Sequence, residues 1–509
     1  MILIYPPVAK PSEPPAGIAR LSGALEHYGV KHYILDANME GLLHLLQCSC
    51  RSPDRPYDTW TARAVRNCTR NLASLGDLST YHKFDRYKRA VLDLNRVLET
   101  SVADSAVAVS LADSRHKELS PLRSGDLIRA SENPEGDPFY PYFRERLSSL
   151  LKEMQPSVVG LSVNYLSQAL CAFAMAGFLK RSLPGLKIVL GGGLVTSWVK
   201  SPRWKNPFGG LVDRLVAGPG EDQLLSMAGA YGAGGAAFTP RYDFQTGGYM
   251  APGSILPYGA STGCYWNKCS FCPERAEDNP YMPLPVDRVT TDLASLKGKM
   301  NPVLLHFLDS ALSPSLLKGF IHTPPGVPWY GFARINKDLS DIDFCRALKR
   351  SGCVMLKLGL ESGDQEVLDR MQKGIDLGTA SGALKTLKKA GIATYIYLLF
   401  GTPSETLASA RKTLEFTVAH REEIGFLNLA MFNMPLHGPE TGEIETRSFY
   451  EGDLSLYTDF IHPLGWGRKE VRHFLANEFR KNKAISSILK KDPPLFTSNH
   501  APFFVRASG

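Results

Sequence analysis

Apolar and polar positions near the amino terminus alternate between short apolar runs and segments with helical spacing. Residues 2–5 form an apolar run that predicts a strand, and apolar positions recur with a helical period between Gly17 and His27. Strands separated by helices of this length predict an α/β fold with a doubly wound parallel sheet, whose ligands bind at the carboxyl ends of the strands. Further apolar runs predict the remaining strands of this sheet at 31–35, 157–163, 187–190 and 211–216.

A polar segment interrupts the alternation between residues 50 and 150. It is rich in Arg and Ser and predicts a mostly helical insertion with a strand at 106–111. Gly- and Pro-rich stretches at 229–235 and 240–257 predict a linker. We therefore expect a first domain over residues 1–235 that carries the insertion.

A second series of strands and helices begins near residue 258. About six strand–helix units predict an open or partial (βα)6 barrel over residues 250–432. Residues 433–509 lose the alternation and predict a small, mostly helical extension, whose basic run is typical of a solvated surface. The barrel strands are expected at 303–308, 329–335, 354–360, 394–400 and 426–432, after a first strand near 258.

Composition excludes several classes of protein. The chain has 509 residues, of which 44% are hydrophobic and 21% charged, as in folded globular proteins. A net charge of +8 is small for this length and does not by itself indicate nucleic acid or an anionic membrane as a partner. No apolar run reaches the roughly 18 residues of a spanning helix, and the first residues lack the basic region of a signal peptide. We therefore expect a cytoplasmic protein whose nine cysteines are buried thiols, metal ligands or catalytic groups rather than disulfides.

The strongest chemical signal is the run STGCYWNKCSFCPER, which holds Cys264, Cys269 and Cys272. Three thiolates at this spacing can converge on one metal centre, and three on an iron–sulfur cubane leave one iron open to a substrate or cofactor. A zinc knuckle would need a fourth ligand, and no His or Cys follows Cys272 closely. Three unrelated thiols are the remaining alternative.

At these residues the chain resembles the radical S-adenosylmethionine (SAM) enzymes. Their signature has three residues in the first cysteine gap, two in the second and an aromatic residue before the third cysteine. Phe271 takes the aromatic place, but the first gap here has four residues, which changes the geometry of the loop. The resemblance implies a [4Fe–4S] cluster on the three cysteines and an external one-electron donor such as flavodoxin or ferredoxin. It also implies that SAM is bound at the strand tips by Phe271, Asp309, Arg334, Glu361, Ser362 and Gly401.

The first domain resembles the cobalamin-binding domains that precede many radical SAM domains. The matching segments are a Pro-rich loop after the first strand, then ILDAN, PSVVGLSVNYLSQ, PGLKIVLGGG and VDRLVAGPGED. The resemblance implies a pocket for the nucleotide tail of the cofactor at Ser162, Gly191, Gly192 and Gly193. The Asp-x-His-x-x-Gly motif that ligates cobalt in many such domains is absent, and a similar run after the second strand carries Asn38 in place of His. We expect either cobalt without a protein His below it or a domain that keeps the fold and binds no corrinoid.

Together the two resemblances imply an enzyme similar to the class B radical SAM methyltransferases. Such an enzyme cleaves SAM reductively to a 5′-deoxyadenosyl radical and transfers a methyl group through cobalamin to an unactivated carbon. One alternative is a radical SAM enzyme that rearranges, cyclises or oxidises its substrate without methylation. A second is a cobalamin- or zinc-binding module without catalysis. Whether the substrate is a small molecule or a peptide is not encoded in any motif of the chain.

Overall fold

The computed structural model of the protein describes residues 1–50, 57–202, 204–230, 238–244, 248–448, 452–494 and 500–505. Most of the linker predicted at 229–235 lies outside the described residues. The chain divides into two compact units, the first built mainly from Met1–Ser254 and the second mainly from Ile255–Phe449 and Leu456–Asp492. Within the described ranges, no helix is long and apolar enough to cross a lipid bilayer.

The first unit is built on short strands joined by helices. Its strands are β1 (Ile2–Ile4), β2 (Tyr33–Leu35), β3 (Val107–Val109), β4 (Ser114–His116), β5 (Val158–Ser162), β6 (Lys187–Gly191) and β7 (Arg214–Leu215). Its helices are α1 (Ala16–His27), α2 (Ala37–Cys50), α3 (Thr59–Arg66), α4 (Cys68–Leu75), α5 (Leu78–Tyr81), α6 (Phe84–Ser101), α7 (Ser124–Glu132), α8 (Tyr140–Met154), α9 (Leu166–Ser182), α10 (Gly193–Val199) and α11 (Glu221–Met227).

Five of these strands form the predicted doubly wound sheet. Their order is β2-β1-β5-β6-β7, and every neighbouring pair is parallel. This order reverses between β1 and β5, which is the point where sheets of this kind bind ligands. The strand predicted at 106–111 is present as β3, but it pairs with β4 in a separate antiparallel hairpin and is not part of the parallel sheet.

The strands of the second unit range from two to nine residues in length. They are β8 (Ile255–Tyr258), β9 (Ser261–Thr262), β10 (Met282–Pro283), β11 (Leu304–Phe307), β12 (Trp329–Ala333), β13 (Cys353–Glu361), β14 (Ala393–Phe400), β15 (Phe426–Met431), β16 (Met434–Pro435), β17 (Thr446–Arg447) and β18 (Tyr457–Phe460). Its helices are α12 (Pro273–Ala276), α13 (Val286–Met300), α14 (Pro314–His322), α15 (Ile342–Arg350), α16 (Gln365–Arg370), α17 (Leu377–Ala390), α18 (Leu407–Ala419), α19 (Arg468–Phe474) and α20 (Lys483–Leu489).

Six parallel strands of this unit form the predicted partial barrel, in the order β15-β14-β13-β12-β11-β8. Helix α14, which the sequence analysis did not predict, completes the connection between β11 and β12. The carboxyl-terminal extension contains the predicted helices, but the three short strands β16, β17 and β18 precede them. Because the six barrel strands are parallel, their carboxyl ends lie at one edge, and this edge carries the candidate residues of the second unit.

Candidate functional site

The three cysteines of the motif lie in the loop between β9 and α12, at the carboxyl end of the barrel strands. Cys269 is buried, and Cys264 and Cys272 are half-buried. The Cys272 amide donates to the Cys269 carbonyl at 3.3 Å, and the Ser270 amide donates to the Met371 carbonyl at 3.0 Å. Burial raises the pKa of the Cys272 thiol to about 11 and also raises that of Cys269. The loop is therefore folded against the segment that follows α16.

The additional residue of the first cysteine gap has a clear structural outcome. Asn267 adopts a left-handed backbone conformation, with φ of 42°. This turn places the Trp266 ring on Gly374, where a Cβ would lie 2.1 Å from the ring. The indole Nε1 of Trp266 donates to the Gln372 carbonyl at 3.0 Å. Within the four-residue gap, Trp266 is thus anchored to the segment that follows α16.

Two cations stand beside the buried thiol. The Arg334 guanidinium lies 3.8 Å from Cys269 Sγ and 4.2 Å from the centre of the Trp266 ring, and it also donates to the Lys373 carbonyl. Burial dominates the pKa of Cys269, while Lys373 and Arg334 act to lower it. Positive charge next to a thiol favours the thiolate, which is the form that ligates metal.

Lys373 connects the cysteine loop to the tip of β13. Its Nζ donates to Glu361 Oε1 at 2.7 Å, and the two side chains are only 8% and 12% exposed. Glu361 has φ of 66°, so the last residue of β13 leaves the strand in a left-handed conformation. The Lys373 ammonium also lies 5.5 Å from the centre of the Phe271 ring. Sequence reasoning did not single out Lys373, whose only signal was its place in the run that follows Glu361.

The donor set of this loop fits an iron–sulfur cluster. In the described part of the chain, no three His, Cys, Asp or Glu side chains gather as ligands of one metal ion. A cubane differs from a single ion because each thiolate binds a different iron, so its ligands surround a cluster rather than a point. Three thiols on one short loop, with Arg334 and Lys373 beside them, supply the ligands and the compensating charge for such a cluster.

Asp309 and Ser362, which were also predicted to contact SAM, have hydrogen-bond partners within the protein. Asp309 is 2% exposed, and its carboxylate accepts from the Ala260 amide at 3.0 Å and the Ser261 hydroxyl at 2.5 Å. Ser362 is fully buried, and its hydroxyl accepts from the Asp364 amide at 3.1 Å. Asp309 therefore ties the end of β11 to the start of the cysteine loop, and Ser362 caps the turn after β13. Direct contact with SAM stays a prediction for both residues.

Phe271 lies between two small apolar clusters. On one side it packs against Val367, Leu368 and Met371, and on the other against Phe432, Met434 and Phe460. The ring is only partly buried, so part of its surface remains accessible. This position agrees with the expectation that Phe271 packs near the adenine of SAM, which stays a prediction.

The tip of β14 is held by residues from the carboxyl-terminal extension. Gly401 has φ of 80°, and its amide donates to the Glu405 carboxylate. Glu405 is fully buried, also accepts from Trp466 Nε1 at 2.9 Å, and has its pKa raised by burial to about 7. His462 accepts amide protons at Nδ1, which assigns its Nε2 as the donor to the Thr402 carbonyl at 2.8 Å. Sequence reasoning identified Gly401 but missed these supports, because Trp466 is 61 positions away from Glu405.

In the first unit the predicted residues come together at the carboxyl edge of the sheet. The Gly193 amide donates to Asn164 Oδ1 at 2.9 Å, and Asn164 Nδ2 donates to Ser162 Oγ at 3.1 Å. Gly192 has φ of 105°, and a Cβ there would lie 2.5 Å from the Val163 carbonyl oxygen. The close approach that requires glycine at 192 is therefore between the loops after β5 and β6, whichever ligand binds above them.

Asn38 stands in the place where the sequence motif would carry His, and the structure gives it a different role. The side chain is 1% exposed and pairs with Ala9 on both sides, accepting from its amide at 2.7 Å and donating to its carbonyl at 2.9 Å. It thereby holds the Pro-rich loop after β1. Tyr165 and Leu166, which are 55% and 38% exposed, follow the tip of β5 and offer an apolar surface next to Ser162. These tips fit the apolar body of a corrinoid but offer no His for its cobalt.

Comparison with known protein families identifies the barrel. Residues 259–417 match the Radical SAM superfamily, so this part of the chain is a radical SAM domain, whose cofactors are a [4Fe–4S] cluster and SAM. An uncharacterized methyltransferase of Pyrococcus horikoshii is 23% identical over 310 residues, which span 53% of this chain and 66% of the relative. Bacteriochlorophyllide d C-12(1)-methyltransferase of Chlorobaculum tepidum is 25% identical over 256 residues, which span 47% of this chain and 54% of the relative. The chain thus spans between half and two thirds of the length of these two curated relatives.

Two solved structures share the fold. The radical SAM methyltransferase TsrM from Kitasatospora setae, solved with cobalamin and a [4Fe–4S] cluster, is 16% identical with a TM-score of 0.50. The match covers 87% of this chain and 77% of TsrM. The cobalamin-dependent SAM radical enzyme OxsB, solved with aqua-cobalamin, is 16% identical with a TM-score of 0.50, and the match covers 63% of this chain and 58% of OxsB. At these identities the likeness shows a common fold.

Proposed function

We propose that the protein is a cobalamin-dependent radical SAM methyltransferase that transfers a methyl group to an unactivated carbon. The observation that carries the proposal is the combination of two folds in one chain. A doubly wound sheet of order β2-β1-β5-β6-β7 precedes a partial barrel whose cysteine loop follows its first strand. TsrM and OxsB, which share the fold, are described as cobalamin-dependent or cobalamin-bound radical SAM proteins.

The residues of the second unit have distinct tasks in this proposal. Cys264, Cys269 and Cys272 would hold the cluster, and Arg334 and Lys373 would balance part of its thiolate charge. When bound, the cluster supplies an electron for the reductive cleavage of SAM, and cobalamin supplies a carrier for the methyl group.

Glu361 and Gly401 would face SAM from neighbouring strand tips. The Glu361 carboxylate is oriented by Lys373, and the backbone at Gly401 is fixed by Glu405. Half-buried Phe271 would pack near the adenine, because it packs against both apolar clusters at this edge and keeps part of its ring exposed. Fixed side chains at the strand tips hold the reacting atoms in place, which is the main contribution of a protein to cofactor-based chemistry.

In the first unit, Ser162 and the Gly191–Gly193 turn would line the pocket for the nucleotide tail of cobalamin. The hydrogen bonds through Asn164 fix these tips relative to each other. The described Pro-rich loop after β1 carries no His, and the Asn38 side chain after β2 is hydrogen-bonded to the backbone of Ala9. We therefore infer that no His from the loop after β1 or after β2 ligates the lower face of the cobalt.

The first experiment measures the metal and corrinoid content of protein purified without oxygen and reconstituted with iron, sulfide and hydroxocobalamin. We expect about four irons and one corrinoid per chain, the contents of one cubane and one cofactor. Iron without corrinoid would reject the cobalamin part of the proposal and favour a radical SAM enzyme that does not methylate. Zinc without iron would reject the whole proposal.

A second experiment identifies the reaction class through its products. With SAM and a chemical reductant, a radical methyltransferase of this kind forms 5′-deoxyadenosine from one SAM and S-adenosylhomocysteine from another. Turnover that yields 5′-deoxyadenosine but never S-adenosylhomocysteine would contradict methyl transfer while retaining radical chemistry.

A further inference from the structure

The guanidinium of Arg334 is a buried charge without a carboxylate partner. The residue is 9% exposed, and among the described residues it forms no ion pair with an Asp or a Glu. Its described acceptors are the Cys269 thiol, whose sulfur lies 3.8 Å from Nη1, and the Lys373 carbonyl. A buried cation is costly unless an anion lies beside it. Of the two acceptors, only the sulfur of Cys269 can become an anion.

The indole ring of Trp266 supports this guanidinium. The centre of the ring lies 4.2 Å from Arg334 Cζ, within the range of cation–π attraction. The ring is itself fixed, because its Nε1 donates to the Gln372 carbonyl at 3.0 Å and the bare Cα of Gly374 lies against it. Arg334 therefore contacts a fixed aromatic surface and a cysteine of the same loop.

We propose that Trp266 is a positioning residue that keeps Arg334 against Cys269 and thereby raises the reduction potential of the cluster held by this loop. The inference rests on the cluster of the proposed function and not on methyl transfer. A one-electron reductant is oxidised as the cluster gains one electron and one negative charge, and no covalent bond forms or breaks. A positive charge and an N–H···S hydrogen bond at Cys269 stabilise this added charge, so that they favour the reduced form.

The sign of the change separates positioning from simple packing. Loss of the ring would release Arg334 from Cys269 and lower the potential, because less positive charge would face the sulfur. A ring that served packing alone would, once removed, admit water to the loop. Water stabilises the added negative charge and would raise the potential.

The test measures the midpoint potential of the cluster by electron paramagnetic resonance at fixed pH and without SAM. Each protein is reconstituted without oxygen, its iron content is determined, and it is then titrated with dithionite. The variants are Trp266→Leu, Arg334→Gln and the double variant Trp266→Leu/Arg334→Gln. The matched control is Tyr281→Leu, which removes a half-buried ring that packs on Tyr265 at 6.2 Å and has no described contact with Arg334.

We expect Trp266→Leu to lower the equilibrium constant of reduction roughly tenfold, which is about 59 mV for a one-electron couple. Arg334→Gln should lower it at least as far, and the double variant should go little further, because Trp266 acts through Arg334. Tyr281→Leu should match the wild type. An unchanged or raised potential in Trp266→Leu would overturn the proposal, as would an equal effect of the Trp266 change with and without Arg334.

A conservative variant isolates the face of the ring. Trp266→Phe keeps an aromatic face for Arg334 and should recover part of the potential lost in Trp266→Leu, whereas equal potentials in these two variants would contradict the role of the ring. If Trp266→Leu binds fewer than four irons, Trp266→Phe and Arg334→Gln decide the question. Wild-type potentials in both would then reject the proposal.

The iron content keeps this inference separate from the proposed function. A wild type that binds no iron would overturn both. Four irons per chain with the same midpoint potential in every variant would reject the positioning role of Trp266 alone and leave the proposed function standing.

Discussion

The buried carboxyl group of Glu405 makes the stability of the second unit depend on pH. The group is fully buried and accepts from the Gly401 amide and the Trp466 indole, yet burial raises its pKa from 4.5 to about 7. Between these two values the folded protein keeps a proton that the unfolded chain has lost, so the stability falls as the pH rises. Above pH 7 the folded protein must ionise Glu405 and bears the full penalty. Below pH 4.5 both states are protonated and the penalty is absent.

The size of the penalty follows from the difference between the two pKa values. At about 1.4 kcal/mol per unit, a pKa raised from 4.5 to about 7 corresponds to about 3.5 kcal/mol. The variant Glu405→Gln removes the ionisable group and cannot show this dependence. In this variant the side-chain amide nitrogen occupies the buried position of Glu405 Oε1, which has no hydrogen-bond partner among the described residues. Burying this unpaired group lowers the stability by the same amount at every pH.

Thermal unfolding at pH 5 and pH 8 tests this reasoning. About 2.5 kcal/mol of this penalty develops between the two pH values, because pH 5 already lies above the unfolded pKa. We expect the melting temperature of Glu405→Gln to rise relative to the wild type by roughly 5–10 °C between them, since 1 kcal/mol moves the melting temperature of a unit of this size by about 2–4 °C. Glu415→Gln, which replaces an exposed carboxylate on α18, is the control and should show no such change. Parallel pH curves for Glu405→Gln and the wild type would refute the reasoning, as would a wild type that gains stability over the variant toward high pH.

Three other substitutions test the remaining parts of the structure. Lys373→Met should destabilise the protein by about 3 kcal/mol in urea unfolding, because it leaves the buried Glu361 carboxylate unpaired. The double variant Lys373→Met/Glu361→Leu should recover most of this loss, and equal losses in both variants would show that the two residues are not coupled. Gly192→Ala should lower the free energy of unfolding by at least about 2 kcal/mol, because of the positive φ and the contact with Val163. Gly193→Ala is the control and should be nearly neutral, because its Cβ would lie 3.7 Å from Asn164. Similar melting temperatures of the two variants would contradict this difference. Cys269→Ala should abolish iron binding and SAM cleavage while leaving corrinoid binding intact, and loss of corrinoid binding would contradict the separation of cofactor tasks between the two units.

Much of the fold could be predicted because its signals are local. The run predicted as a strand at 354–360 is β13 over Cys353–Glu361, and its apolar composition is typical of a strand buried on both faces. Helix α14 was missed because its nine residues are bounded by two prolines and a short polar loop, which hide its period. Strands β16, β17 and β18 have two to four residues each, too few to show an alternating pattern.

The supports of the candidate site could not be predicted for a different reason. Arg334 was expected at a strand tip, but its contacts with the cysteine loop and with the Lys373 carbonyl join three distant segments of the chain. Nor does any local pattern reveal that Trp466 from the extension donates to Glu405. Burial and pairing of this kind are properties of the tertiary fold, so the sequence indicates which groups carry chemistry and the structure shows which groups hold them in place.

The packing of Trp266 on Gly374 has a consequence for the evolution of the cysteine motif. The additional residue of the first gap, the left-handed Asn267 and the bare Cα at 374 depend on one another, because a Cβ at 374 would collide with the indole ring. We expect a three-residue gap to remove this contact, so that the φ of 65° alone, and no longer the indole ring, would favour glycine at position 374. A side chain at position 374 should therefore be tolerated more readily with the shorter gap than with the four-residue gap of this chain.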